Sequence, residues 1–230
     1  MPAYGSRRTG QAEEARPWVV FDVMGVIFEE GDDDRLLLTP FVRRQNPHME
    51  PAAIRSAYLE ASLGRITSED FWRRVGLADR YPQVERTYLD SCLRLSGKII
   101  EIVNCLSRDF SLAILSNDVR EWSAYLRAHH GLDRFFQQAV VSGEAGCRKP
   151  NREIYTILLD RLAAPAGQCL FLDDREENLI PAAEMGMHTV LYQPRGAADP
   201  PGAFRRIRRL EELPDVAEEI FSARVLQKEG

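Results

Sequence analysis

The sequence predicts an α/β fold: a Rossmann-like, doubly wound parallel sheet with an inserted α-helical unit. Three observations carry that prediction. Five short apolar runs alternate with segments of helical periodicity, the pattern of a parallel sheet wrapped by crossover helices. Three of the runs bring Asp22, Ser116 and Asp173-Asp174 to their carboxyl ends, where open parallel sheets bind their ligands. The stretch between the first two runs is far longer than one crossover helix requires, so a separate unit is inserted there.

In chain order, residues 1–16 form a polar N-terminal segment, expected to be flexible and without the apolar stretch of a secretory signal. Trp18 to Val23 reads as a buried strand that carries Asp22 to its end and turns at Gly25. The insertion covers residues 33–95 and is helical: Pro51 to Leu63, then Thr67 or Ser68 capping a helix that begins Glu69-Asp70-Phe71-Trp72, then Val84 to Leu95. Ile99, Ile100, Ile102, Val103 and Leu106 mark the core face of a further helix. The remaining strands are expected at Leu112 to Ser116, Gln138 to Ser142, Cys169 to Asp173 and His188 to Tyr192. The α/β core is therefore discontinuous, residues 17–32 and 96–194, followed by a C-terminal segment, 195–230. In that segment Arg195 to Pro201 reads as a loop, and Arg205-Arg206-Ile207-Arg208-Arg209, with Glu211-Glu212 and Glu218-Glu219 close behind, as a solvated face.

Composition narrows the function. An apolar content of 44%, a charged content of 28% and 230 residues describe an ordinary globular protein. A formal charge of -5 argues against nucleic acid as a partner and for a small molecule. No apolar run approaches the roughly 20 residues that span a bilayer, and Cys92, Cys105, Cys147 and Cys169 lack metal or disulfide spacing. The expectation is a cytoplasmic protein with reduced thiols, no membrane partner and a monomeric or homodimeric state. His129-His130 and His48 fit helix capping and solvation better than metal binding, and Phe71 and Trp72 fit packing within the insertion.

Four blocks carry the chemistry: Val19-Val20-Phe21-Asp22-Val23-Met24-Gly25, Ala113-Ile114-Leu115-Ser116-Asn117-Asp118, Cys147-Arg148-Lys149-Pro150 and Leu170-Phe171-Leu172-Asp173-Asp174-Arg175-Glu176-Glu177-Asn178. Singly, each has an ordinary account: an Asp before Gly is often a turn residue, and Asp173-Asp174 could cap the helix through Ala182-Ala183. As an ordered set they resemble the haloacid dehalogenase superfamily, most nearly its phosphatase branch, and the insertion resembles that family's small helical cap.

An Asp can accept a phosphoryl group, dividing hydrolysis into two easier steps, if the charges that meet there are neutralised. Asp22 is the candidate nucleophile. Mg²⁺ needs only one or two carboxylates, which Asp22 and Asp174 can supply, with Asp173 as a further ligand or a supporting group. Ser116 offers a hydroxyl and Asn117 a backbone N–H to phosphoryl oxygens, and Lys149 a compact positive charge. The resemblance adds the backbone carbonyl of Met24 to the metal ligands, assigns Lys149 to phosphate and nucleophile, and places Asn178 behind a carboxylate or the lysine. It implies a Mg²⁺-dependent phosphatase acting on a small phosphorylated metabolite.

One position departs from the family pattern. The usual first block is D-x-D-G, and here Met24 stands where the general acid/base carboxylate belongs. That catalysis is typically worth about 10² to 10⁴ in rate, so its loss favours an activated leaving group such as a sugar 1-phosphate. The acidic run Glu29-Glu30-Gly31-Asp32-Asp33-Asp34 is one source of a replacement, although such runs are usually solvated. Two alternatives stand beside the phosphatase: a catalytically impaired binding or regulatory protein, and, less favoured because Asp173-Asp174 suits a metal, a 2-haloacid dehalogenase.

Overall fold

The computed structural model describes residues 16–194 and 204–228. Six strands form one wholly parallel sheet: β1 Trp18–Phe21, β2 Ser111–Ser116, β3 Gln138–Val141, β4 Cys169–Asp173, β5 His188–Tyr192 and β6 Arg205–Ile207, in the order β3-β2-β1-β4-β5-β6. The order reverses between β1 and β4, which puts the switch point beside the end of β1.

The strands read as unbroken apolar runs because both sheet faces are covered. Val19, Phe21, Leu112, Ile114, Leu170 and Leu172 belong to one buried cluster; Val20, Ala113, Leu115, Cys169 and Phe171 belong to the other. The first face is packed by helices α5 (Ile99–Leu106), α6 (Arg120–His129) and α10 (Leu213–Lys228), the second by α8 (Arg152–Leu162) and α9 (Glu176–Glu184). This is the doubly wound parallel arrangement that the alternation of runs predicts.

Between β1 and α5 lie a wide turn, Asp34–Leu38, and four α-helices, α1 (Thr39–Gln45), α2 (Pro51–Ser62), α3 (Ser68–Arg74) and α4 (Gln83–Cys92). Thr67 is the cap of α3: its Oγ1 accepts the Asp70 N–H at 3.1 Å, and its own N–H donates to Asp70 Oδ2 at 3.3 Å. Phe41, Phe71, Trp72 and Tyr88 fill the middle of this helical unit. Trp122 joins them from α6, and the Nε1 atoms of Trp72 and Trp122 both donate to Glu85 Oε2, at 2.8 and 2.7 Å. One carboxylate thus pins the insertion to the core.

Several boundaries differ from the sequence-based expectation. β1 stops at Phe21 instead of Val23, because the chain turns: Phe28 N–H donates to the Val23 carbonyl at 2.9 Å, and Gly25 takes φ +84°, a region open to glycine. β3 stops at Val141, since Ser142 opens the short helix α7 (Ser142–Ala145). The last insertion helix ends at Cys92, and Leu95 instead bridges Phe28. The largest correction is β6. The basic cluster is an edge strand paired with β5, its Ile207 1% exposed, its Arg206 held by Glu176 at 2.7 Å and its Arg205 by Glu219 at 2.6 Å. The sheet therefore continues into the C-terminal segment. The expected loop at Arg195 to Pro201 and the segment 1–15 lie outside the described residues. Among the described residues no helix is long and apolar enough to cross a membrane.

Candidate active site

Register places the chemistry. Phe21 is level with Ile114 of β2 and Leu172 of β4, so Asp22 emerges one step beyond the central strand, its N–H still held by the Leu172 carbonyl at 2.9 Å. Ser116 ends β2 and Asp173 ends β4. Three polar side chains thus leave adjacent strands at one rim.

Lys149 ties them together. Its Nζ donates to Asp22 Oδ1 at 2.5 Å and to Asp173 Oδ2 at 2.7 Å, with its side chain 1% exposed. Asp173 is held on its other sides by Asn178 Nδ2, at 3.0 and 3.1 Å, and by the Arg175 backbone N–H at 2.9 Å. Asn117 fixes the lysine through the backbone: its Nδ2 donates to the Lys149 carbonyl at 3.0 Å while its Oδ1 accepts the Lys149 N–H at 2.9 Å. The side chain of Asn117 therefore positions the lysine, a contact that the sequence did not suggest.

Asp174 has a different environment. Its carboxylate packs against the backbone of Gly25 and Gly31, where any Cβ would overlap Oδ2, and its Oδ1 is buried without a hydrogen-bond partner. Ser116 Oγ is likewise buried and unpartnered. Buried polar atoms are rarely left so, and two at one rim are open to a ligand or ion.

The charge balance points the same way. Burial pushes the Asp22 carboxyl up to about 7, with Lys149 pulling against it and Asp173 and Asp174 adding to it. Asp174 is raised to about 6, by burial first and then by the charge of Asp173. Burial alone would lower Lys149, but Asp173 and Asp22 outweigh it and the ammonium is held. Carboxylate oxygens of Asp22, Asp173 and Asp174 lie within 4.8 Å of one another around that one ammonium. A divalent cation fits this donor set, which is all oxygen and short of positive charge. Both Asp173 oxygens are taken, by Lys149, Asn178 and the Arg175 N–H, whereas Asp174 Oδ1 has no partner.

The site opens into a cavity of about 340 Å³. Asp22, Met24, Ser116, Asn117, Lys149 and Asn178 line it, as do Asp33, Asp34, Arg55 and Tyr58 from the insertion side. Asp173 and Asp174 do not line this cavity: their carboxylates lie within 4.8 Å of that of Asp22, and Asp174 lines a separate pocket beside Gly25 and Gly31. The acidic run is only partly solvated: Glu29 is exposed, but Asp33 is 7% exposed and faces the cavity. Arg55, Tyr58, Arg148 and Arg175 are lining residues that the sequence did not single out. Arg148 and Arg175 lie inside two of the four blocks, where no role fell to them, whereas Arg55 and Tyr58 on α2 carried no signal beyond helical periodicity.

The fold and this rim define an α/β protein with a lysine-bridged carboxylate pocket at its switch point. A family model for haloacid dehalogenase-like hydrolases matches residues 17–186, and the chain belongs to that family. Among curated proteins it is 40% identical over 67 residues to bifunctional epoxide hydrolase 2 of Mus musculus, covering 29% of this chain and 12% of that protein. It is 32% identical over 111 residues to glyceraldehyde 3-phosphate phosphatase of Methanopyrus kandleri, covering 44% of this chain and 46% of that one. The chain thus spans less than half the length of either relative. A solved 2-haloacid dehalogenase from Pseudomonas syringae pv. Tomato DC3000 superposes with a TM-score of 0.67 at 16% identity, over 89% of this chain and 99% of that one. A family enzyme from Bacteroides thetaiotaomicron, in complex with magnesium and inorganic phosphate, superposes with a TM-score of 0.62 at 18% identity, over 83% and 100%. These superpositions show the shared fold.

Proposed function

We propose that the protein is a Mg²⁺-dependent phosphatase of a small phosphorylated metabolite, with Asp22 as the nucleophile. The observation that carries this is the convergence of Asp22, Lys149 and two unpartnered buried oxygens, Ser116 Oγ and Asp174 Oδ1, at one rim. An aspartate held by a buried ammonium is oriented but loses little charge, as a carboxylate nucleophile requires. Ser116 Oγ is free to donate to a phosphoryl oxygen, and Lys149 offsets the charge that gathers as the phosphoryl group approaches Asp22. The carboxylates of Asp22 and Asp174 and the backbone carbonyl of Met24 would hold the Mg²⁺, which when bound neutralises and orients the phosphoryl oxygens. Asp173 and Asn178 keep the lysine in place.

The cavity volume suits a small metabolite, within the roughly 300–1,000 Å³ of ordinary ligand sites. The helical insertion, residues 33–95, acts in this reading as a cap that supplies the substrate-facing wall through Arg55 and Tyr58. The phosphatase named among the relatives agrees with a phosphorylated substrate, and an activated one such as a sugar 1-phosphate suits a site with Met24 in it.

The test is phosphate release from p-nitrophenyl phosphate and a panel of metabolite phosphates, with Mg²⁺ and with EDTA. Turnover that needs Mg²⁺ and that falls at least about 10³-fold in Asp22→Asn is the expected result. Turnover unaffected by Asp22→Asn would overturn the assignment of the nucleophile. Met24, 8% exposed on the cavity wall, favours a second reading as a binding protein. Phosphate binding without turnover across the panel is its signature, and halide release from 2-haloacids in EDTA is that of a dehalogenase.

A further inference from the structure

The phosphatase reading leaves a missing group: Met24 cannot give a proton to a leaving oxygen or take one from water. We infer that Asp33 is the general acid/base of this site, supplied by the entry to the helical insertion instead of by the loop that carries Met24. This role rests on the phosphatase reading above.

The geometry singles out Asp33 among the acids of the cavity. It lines the same cavity as Asp22 and Met24 and is 7% exposed. It precedes the turn Asp34–Leu38 at the position where an aspartate ordinarily caps, yet its side chain makes no cap bond, so the carboxyl is available to the cavity. Asp34 is only half buried, and Glu177 is 66% exposed beside Arg175, so Asp33 is the most enclosed of the three. The charged and titratable groups around Asp33 come from five other elements or loops: Asp118 after β2, Tyr58 on α2, Tyr88 on α4, Arg148 before α8 and Arg175 before α9, besides Asp34 in its own turn. Asp118 is buried, with Oδ1 accepting the Val119 N–H at 2.7 Å and Oδ2 unpartnered. Burial raises the Asp33 carboxyl well above the usual range, and the negative charges of Asp118 and Asp34 raise it further against the pull of Arg175. A buried carboxyl beside like charges stays protonated near neutrality, as a general acid must.

The steps balance without a further reactant. As an Asp22 oxygen forms its bond to phosphorus, the bond from phosphorus to the ester oxygen breaks and that oxygen takes the proton of Asp33, leaving as the alcohol. The Asp33 carboxylate then takes a proton from water as the water oxygen attacks phosphorus. The bond to Asp22 breaks, inorganic phosphate is released, and Asp33 is again an acid.

The experiment compares the parent with Asp33→Asn, a near-isostere of the protonated acid, on Mg²⁺-loaded full-length protein. Alkyl phosphates should lose about 10²- to 10⁴-fold in kcat/KM, while p-nitrophenyl phosphate, whose oxygen leaves unaided, should lose far less in the first step and show a burst of p-nitrophenol of about one per site. Met24→Asp added to Asp33→Asn should recover part of the alkyl phosphate activity. A second variant, Asp118→Asn, lies outside this machinery; removing its charge should move the alkaline limb of the kcat/KM profile to lower pH. Equal losses on alkyl and aryl phosphates in Asp33→Asn, or an unmoved limb in Asp118→Asn, would overturn the role while leaving Asp22 in place. Absence of turnover in the parent itself would overturn the phosphatase reading and this role with it.

Discussion

Replacing Lys149 with Met is expected to lower kcat by at least about 10²-fold and to destabilise the fold most at high pH. The side chain sits between Asp22 Oδ1 and Asp173 Oδ2 with 1% of its surface exposed, and its Nζ also lies 5.3 Å from the centre of the Phe171 ring. Met preserves much of the volume and the aliphatic stem, so the loss falls on the charge. Removing one partner from a buried ionic cluster leaves the others uncompensated, which typically costs about 3–5 kcal/mol.

The sign of the pH dependence follows from the direction of the shifts. In the parent, burial already raises Asp22 to about 7, with Lys149 as the main opposing influence. Without the ammonium the folded carboxyl rises further above its unfolded value near 3.8. Stability from such a group is present below the unfolded value and is lost as pH climbs through the folded one. The gap in melting temperature between parent and Lys149→Met, measured in EDTA, should therefore widen from pH 5 to pH 8. An equal gap at both pH values would show that the lysine contributes packing and not charge compensation.

Legibility of this molecule in its sequence was uneven for physical reasons. β4 was readable to the residue because a strand buried on both faces must be apolar until it meets polar chemistry, and β5 because a buried Val190-Leu191 centre marks it. β6 was not: at an edge, one buried Ile207 suffices, and arginines that find acids on α9 and α10 look like a solvated cluster until those acids are placed in space. The blocks around Asp22, Ser116, Lys149 and Asp173 were legible as an ordered set, but the contact that unites them spans 127 residues and no local pattern encodes it. Asp33 was hidden for a related reason. Within an acidic run it reads as surface, and only the approach of α2 and of the loops that carry Asp118, Arg148 and Arg175 buries it. Met24 could be read as a departure from the family pattern and the acidic run as one source of a replacement; which residue of that run is buried at the cavity could not.

Trp122→Ala should produce the largest stability loss away from the rim, about 3–5 kcal/mol as for other buried Trp or Phe truncations. The indole belongs to α6 of the core, yet its ring lies 5.3 Å from Phe71, 5.5 Å from Tyr88 and 6.0 Å from Trp72, all in the insertion, and stacks on Tyr58 at 5.9 Å. For a chain of this size each kcal/mol lowers the melting temperature by about 2–4 °C, so calorimetry would see the change plainly. Because Tyr58 also lines the cavity, KM should rise in the same variant while the chemistry at Asp22 is untouched. The shared carboxylate separates packing from hydrogen bonding. Trp122→Phe keeps a ring but removes the N–H that reaches Glu85 Oε2 at 2.7 Å, and combined with Glu85→Gln it should give a coupling of about 1.5–3 kcal/mol if the bond carries charge-assisted strength. Coupling near zero would mean that Trp72, bonded to the same oxygen at 2.8 Å, holds Glu85 alone, and that the polar links from insertion to core are the others, Tyr125 to Asp90 at 2.8 Å and Ser142 to the Ser62 carbonyl at 2.5 Å among them. A strong coupling would make the two units one cooperative body, in which the cavity wall cannot swing away from Asp22 without giving up the half-buried carboxylate of Glu85.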